Sequence, residues 1–136
     1  MSELHVQVSV AGERYALPVA GVVEVADVGE VTPLPGSPAA VLGVRNLRGQ
    51  VVPVVDLAVV LGLPAAPAPE RIVIAEDSGR RAGLAVDEVA GVEELPPASE
   101  DTEARHLTGA VLANGDFIGI LDVRSVLDAV AGTPPG

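Results

Sequence analysis

The sequence predicts an all-β fold of two small closed barrels packed side by side. Three observations carry this. The chain is 49% hydrophobic but only 1% aromatic, with 15 Gly and 12 Pro. Its core is therefore aliphatic and Val-rich, and Val with Gly- and Pro-rich turns favours short strands over long helices. Apolar runs of strand length are punctuated by tight-turn signals. Finally, the second half of the 136 residues repeats the first.

Residues 4–10, LHVQVSV, alternate strictly and read as a half-buried strand. Ala11-Gly12-Glu13 is a turn, residues 14–19 return as a second strand, and Val22, Val23 and Val25 continue the apolar pattern. Residues 32–36, TPLPG, form an extended, irregular connection. A strand at 41–44, a turn near Arg48-Gly49 and a strand at 51–55 follow. Residues 56–61 read as a short helix, N-capped by Asp56 and ended by Gly62 and Pro64. A low-complexity joint, PAAPAP, spans 64–69. The pattern then restarts: strand 71–75, turn 76–80, strand 81–86, Val89 and Val92, and a second long connection with Leu95-Pro96-Pro97 and the acidic 99–103. Strand 107–112, the favoured hairpin turn Asn114-Gly115, strand 117–121, a helix over 122–130 and a frayed tail at 132–136 complete the chain.

Gly49 and Gly115 define an offset of 66, at which Gly43 meets Gly109, Asp56 meets Asp122 and Leu61 meets Leu127. With a one-residue slip, Leu17, Val19, Val22 and Val25 meet Leu84, Val86, Val89 and Val92, and Leu34-Pro35 has a counterpart in Leu95-Pro96. Each half holds four or five short strands, for which closure into a barrel removes exposed edges. A barrel this small is marginal alone, so two are expected to share a buried seam, with the groove between them a natural binding surface.

The formal charge is −11, from 8 basic and 19 acidic residues, and every basic residue is Arg. This excludes unspecific nucleic-acid binding and adhesion to an anionic membrane. With no Cys, disulfides and thiolate metal sites are excluded. No stretch approaches a membrane span and residues 1–6 carry no leader pattern, so no membrane insertion and a cytoplasmic location are expected. His5 lies on the polar phase of its strand, and His5 and His106 lack a matching ligand set; no metal and no cofactor are expected. Asp56 and Asp122, equivalent in the repeat, read as helix caps rather than an acid–base pair. No nucleophile motif is present, so no enzyme activity and no catalytic residue are expected.

Three segments carry a resemblance: VTPLPGSPAAVLGVRNLRGQVVPVVDL (31–57), GLAVDEVAGVEELPP (83–97) and HLTGAVLANGDFIGILDVRSVL (106–127). Together they resemble the CheW-like family of chemotaxis coupling proteins, over about Glu3 to Val130. The resemblance implies two packed SH3-like five-stranded barrels with short helices after the hairpins, forming a single CheW-like domain with approximate halves 1–66 and 67–136 and room for strand exchange between barrels. It implies a non-catalytic adaptor that couples the cytoplasmic tip of a methyl-accepting chemoreceptor to a CheA-type histidine kinase. One barrel would dock on the CheW-like domain of the kinase, and the receptor hairpin would lie near the inter-barrel groove. Its implied partner-binding residues are Val22 and Val44 as an apolar floor, Glu24, Asn46 and Arg48 for orientation, and Gly43 and Gly49 for close backbone approach. Where the family often carries basic residues after Asp-Leu, this chain has Ala58-Val59-Val60-Leu61.

Each residue also has a plainer reading. Arg48 can be a turn residue whose stem covers apolar surface. Asn46 can satisfy the turn backbone, and Glu24 can be a solvated face residue. Two other functions stay open beside the chemotaxis adaptor: an adaptor for a pilus or other kinase array, and a tandem barrel binding a small molecule in the inter-barrel groove. Asn114 stands where Arg48 stands in the first copy of the hairpin. Asn suits such a turn well, so Arg in only one copy points to something that the other barrel does not meet.

Overall fold

A computed structural model of the chain describes residues 2–64, 69–98 and 104–131. Ten strands and two helices follow the expected order. They are β1 (Glu3–Val10), β2 (Glu13–Pro18), β3 (Val22–Asp27), β4 (Val41–Leu47), β5 (Gln50–Asp56), α1 (Leu57–Val60), β6 (Arg71–Asp77), β7 (Arg80–Val86), β8 (Glu88–Leu95), β9 (Leu107–Ala113), β10 (Asp116–Leu121) and α2 (Val123–Ala131). A single 3-10 turn, Val19–Gly21, separates β2 from β3. The expected turn at 76–80 is tighter than read, because β6 and β7 pair down to Asp77 and Arg80. The 64–69 joint falls largely outside the described residues, as do the acidic stretch 99–103 and the tail 132–136.

The strands form two five-stranded sheets, ordered β8-β1-β2-β10-β9 and β3-β6-β7-β5-β4, here termed barrels I and II. They are the two packed SH3-like units of an all-β fold. Neither is built from one half of the chain. Barrel I takes β1 and β2 from the first half and β8 to β10 from the second; barrel II is its reciprocal. With β1 matched to β6, β2 to β7, and so on through β5 and β10, the two orders are identical. The repeat is thus a structural pseudo-symmetry in which each half lends its last three strands to the other half's first two. The halves join at the parallel pairs β2–β10 and β5–β7 and at the antiparallel pairs β1–β8 and β3–β6.

Three cores result, and strand periodicity allocates residues among them. Ala16, Val111, Ile118, Ile120 and Leu95 fill the inside of barrel I. Val54, Ile72, Ile74 and Ala85 fill that of barrel II. The alternate residues of the same strands (Leu17, Leu121, Val55, Val73, Ala75 and Leu84), with Val6, Val8 and Val10 of β1, meet in one core between the barrels. Strands buried on both faces read as continuous apolar runs, which accounts for IVIA at 72–75 and VV at 54–55. Each Val or Leu so enclosed contributes about 1.5–3 kcal/mol.

β1 departs from expectation. It lies between β2 and β8, and both its faces are covered, so His5 and Gln7 are buried although they occupy its polar phase. Polar partners follow: the Arg14 guanidinium donates to Gln7 Oε1 at 2.7 Å, and Gln7 Nε2 donates to Glu93 at 2.8 Å.

The helices seal the seam. Asp56 Oδ1 accepts from the Ala58 amide at 3.0 Å, and Asp122 Oδ1 from the Ser125 amide at 3.1 Å, so both carboxylates cap helices. Leu57 and Ala58 are fully buried, and Val60 and Leu61 pack on the shared core. Val126 and Leu127 carry α2 into the same core.

Gly43 has φ +150°, and a Cβ there would lie 2.2 Å from the Thr32 carbonyl oxygen. Thr32 bridges Val44 through two backbone bonds of 2.8 and 2.9 Å, closing the free edge of β4. Gly43→Ala is expected to lower unfolding free energy by roughly 2–4 kcal/mol, combining backbone strain with displacement of that bridge; denaturant titration measures it, and a change below about 0.5 kcal/mol would remove this role.

His106, at φ +68°, turns the chain into β9; its Nδ1 lies 2.6 Å from Ser125 Oγ and its carbonyl accepts from the Asp122 amide at 2.7 Å. Desolvation, with Arg105 adding to it, pushes its pKa below the ordinary imidazole value, against the opposing pull of Asp122 and Ser125. The unfolded chain therefore binds the proton more readily. The contribution of His106 to stability is complete above about pH 6.5 and declines as pH falls from there towards the folded value. An NMR titration should show a His106 midpoint below about 6.5, and His106→Gln should flatten stability against pH in that window.

Candidate partner-binding surface

Arg48 and Gly49 occupy the β4–β5 turn with φ of +53° and +84°. Ala11-Gly12, Ser78-Gly79 and Asn114-Gly115 repeat this pair of left-handed residues in the other hairpins. It is the turn whose twist matches paired strands, and its first position suits Asn or Gly better than Arg. A left-handed residue that is neither Gly nor Asn costs about 1–2 kcal/mol.

β3 and β4 are opposite edges of barrel II in strand order, yet the Arg48 guanidinium lies 3.2 Å from the Glu24 carboxylate. The curl of the sheet brings the edges together. Arg45 adds a second tie, donating to the Asp27 carbonyl while its guanidinium covers Gly29. The Arg48 side chain is 80% exposed and that of Glu24 22%. An ion pair so open to water contributes about 0–1 kcal/mol, which leaves the guanidinium free to exchange partners. Asn46 Oδ1 accepts from the Gly49 amide at 2.9 Å, so this side chain serves the turn.

The seven sequence-derived residues therefore divide. Glu24, Asn46, Arg48 and Gly49 converge at one end of barrel II. Val22 instead packs against the core between the barrels, and Val44 is half-buried beneath the Thr32 bridge. Gly43 permits close approach by its own chain, at Thr32. The exposed apolar side chains nearby are Val23, 43% exposed, and Val51, 66% exposed. Val23 lies at a register shift between Val22 and Glu24, which turns it outward. Val51 sits directly across from Asn46 in the hairpin and shares its face. Placing the turn at Arg48-Gly49 is enough to read that pairing from the sequence, whereas nothing in the residue types marks the shift at Val23.

The cluster combines a rigid turn, one planar cation, a weakly held carboxylate and two exposed Val side chains. These are the elements of a recognition surface with an apolar patch and a few placed polar groups. Among the described residues, no group of His, Cys, Asp or Glu is arranged to hold a metal ion, and no helix is long and apolar enough to cross a membrane. The shared core fills the interior of the seam between the barrels, and a surface cavity lined by Pro18, Gly21, Glu76, Asp77, Leu121 and Arg124 lies where they meet.

Residues 5–131 match the family model described as CheW-like domain. The chain is 32% identical over 127 residues to a chemotaxis protein CheW of Rhizobium meliloti (strain 1021), covering 86% of this chain and 82% of that protein. It is 34% identical over 125 residues to protein FrzA of Myxococcus xanthus, covering 84% and 78% respectively. The scaffolding protein TtCheW from Thermoanaerobacter tengcongensis superimposes with a TM-score of 0.79 at 30% identity, over 90% of both chains. Motif, pseudo-symmetric topology and these similarities agree: the chain belongs to the CheW-like domain family.

Proposed function

We propose that this protein is a non-catalytic signalling adaptor of bacterial chemotaxis, acting in the cytoplasm to couple methyl-accepting chemoreceptors to a CheA-type histidine kinase. The observation that carries the reading is the Arg48 turn on a CheW-like fold that spans residues 5–131. A strained, 80% exposed Arg stands at a position where the sister hairpin uses Asn. Ala11 and Ser78 hold the same left-handed position in two other hairpins, so what sets Arg48 apart is its long exposed cation, which contact with a partner would use. Related proteins named as chemotaxis proteins and as a scaffolding protein support the same role.

Glu24, Arg48, Val23 and Val51 would face the helical hairpin tip of the receptor. The Arg48 fork would exchange Glu24 for receptor carboxylates or carbonyls, with the Val side chains meeting the apolar stripe of the helix. Asn46 and Gly49 would hold the turn that aims Arg48. The net charge of −11 favours a kinase partner with a basic docking surface.

Arg48→Asn is the informative variant, because Asn tolerates the left-handed turn while removing the guanidinium. Its stability should stay within about 1 kcal/mol of wild type or rise slightly. In reconstitution with the cognate kinase and receptor, kinase binding should persist while receptor-dependent kinase activation falls about tenfold or more, the loss of one charged contact. Full activation by Arg48→Asn would return Arg48 to a turn role, and failure of the wild-type chain to associate with either partner would overturn the adaptor reading.

A further inference from the structure

The pseudo-symmetry exposes a difference between the barrel interiors. β1 of barrel I corresponds to β6 of barrel II, with Leu17 matched to Leu84 in the neighbouring strand. On that register Val6 and Val8 match Val73 and Ala75, all in the shared core. The inward-facing pair Ile72 and Ile74 fills barrel II. Its counterparts in barrel I are His5 and Gln7, 5% and 3% exposed. Burying an imidazole and an amide where the sister barrel holds two Ile is costly in an apolar interior. Gln7 is compensated on both sides by Arg14 and Glu93. His5 is compensated on one side only: its Nδ1 lies 2.8 Å from the Glu3 carbonyl oxygen.

A carbonyl only accepts, so Nδ1 carries the proton and Nε2 of the neutral ring presents a lone pair. No protein group among the described residues meets Nε2. No side-chain nitrogen or oxygen among those residues is both enclosed and unpaired, so Nε2 opens onto accessible space. His5 also lines a pocket at the mouth of barrel I, together with Glu3, Pro18, Leu95, Thr108 and Ile120. Its walls are mostly apolar, with three Pro rings and a Leu and an Ile from the barrel interior, and Ser2 and Glu3 among the polar lining. One buried acceptor in an apolar concavity is the usual form of a small-molecule site.

We propose that the mouth of barrel I binds a compact, largely apolar small molecule through a single O–H or N–H donor directed at His5 Nε2. The flanking Glu3 and the net charge of −11 disfavour anions, and the apolar walls disfavour any charged ligand. The pocket is separate from the Arg48 turn, which lies on barrel II, so ligand binding and partner coupling can be tested independently.

Phenol and indole serve as donor-bearing probes and toluene as the donor-free control, followed by NMR at mildly alkaline pH. Phenol or indole should bind with a dissociation constant on the order of 1 mM. Binding should shift the His5 Nε2 resonance together with the amides of Leu95, Thr108 and Ile120. Toluene should bind at least about tenfold more weakly, for want of the hydrogen bond. His5→Ile installs the residue that barrel II uses at the equivalent position, so it should fold and lose the preference for phenol. The His5 resonance of the unaltered chain provides the readout if that variant does not fold. Equal affinity for phenol and toluene, an unchanged preference in folded His5→Ile, or no shift at His5 up to about 10 mM probe would each overturn the proposal.

Discussion

The structure depends on one constraint, the core shared between the two barrels. A sheet of five short strands encloses few side chains, and the interiors of barrels I and II hold only small clusters. The larger apolar cluster is the one between them, where Leu17, Val55, Leu57, Leu84, Leu121 and Val126 are excluded from water together. Neither barrel could expose that face and remain stable in water. The exchange of strands follows the same demand. Because each half of the chain supplies strands to both sheets, the two halves are joined by backbone pairing within each barrel, and the barrels by the chain crossing between them and by packing. The N-capped helices close the edges of this core, which is why α1 is apolar where a surface helix would be charged.

This arrangement frees the turns and sheet edges for contact. The hairpin turns share one backbone conformation, so differences between their residues reflect what lies outside the turn. Asn114 meets the conformational demand directly, whereas Arg48 meets it with strain and holds a long cation in solvent opposite Glu24. The interior shows the same logic inverted. Where barrel II has Ile72 and Ile74, barrel I has His5 and Gln7. Comparing the two copies separates residues that the fold requires from residues it merely tolerates, a control that a chain without a repeat lacks.

Much of the site could be read from residues alone, for identifiable reasons. Gly at the second position of each hairpin announces a left-handed turn, so the Arg48 turn, the cross-strand position of Asn46 and the contrast with Asn114 all follow locally. The caps Asp56 and Asp122 are equally local, since a carboxylate need reach only the second or third amide ahead. Val22 and Val44, expected to give an apolar floor, are half-buried for a different reason. A register shift in β3 turns Val23 outward in place of Val22, and the Thr32 bridge covers the edge beside Val44. Both depend on segments distant in sequence.

By itself the sequence determined the succession of strands and turns along the chain, the twofold repeat and the family signature, because period-two burial, left-handed glycine turns and helix caps each act over a few residues. Tertiary structure alone decided which face of each strand meets which core. The alternation in β1 marks two faces but cannot say that both are buried; that depends on β8, some eighty residues away in the chain, pairing beside it. Likewise the meeting of Glu24 with Arg48, and the place of His5 in the wall of a pocket, arise from sheet curl and strand exchange. Those are properties of how the two halves embrace, and no local run of residues encodes them.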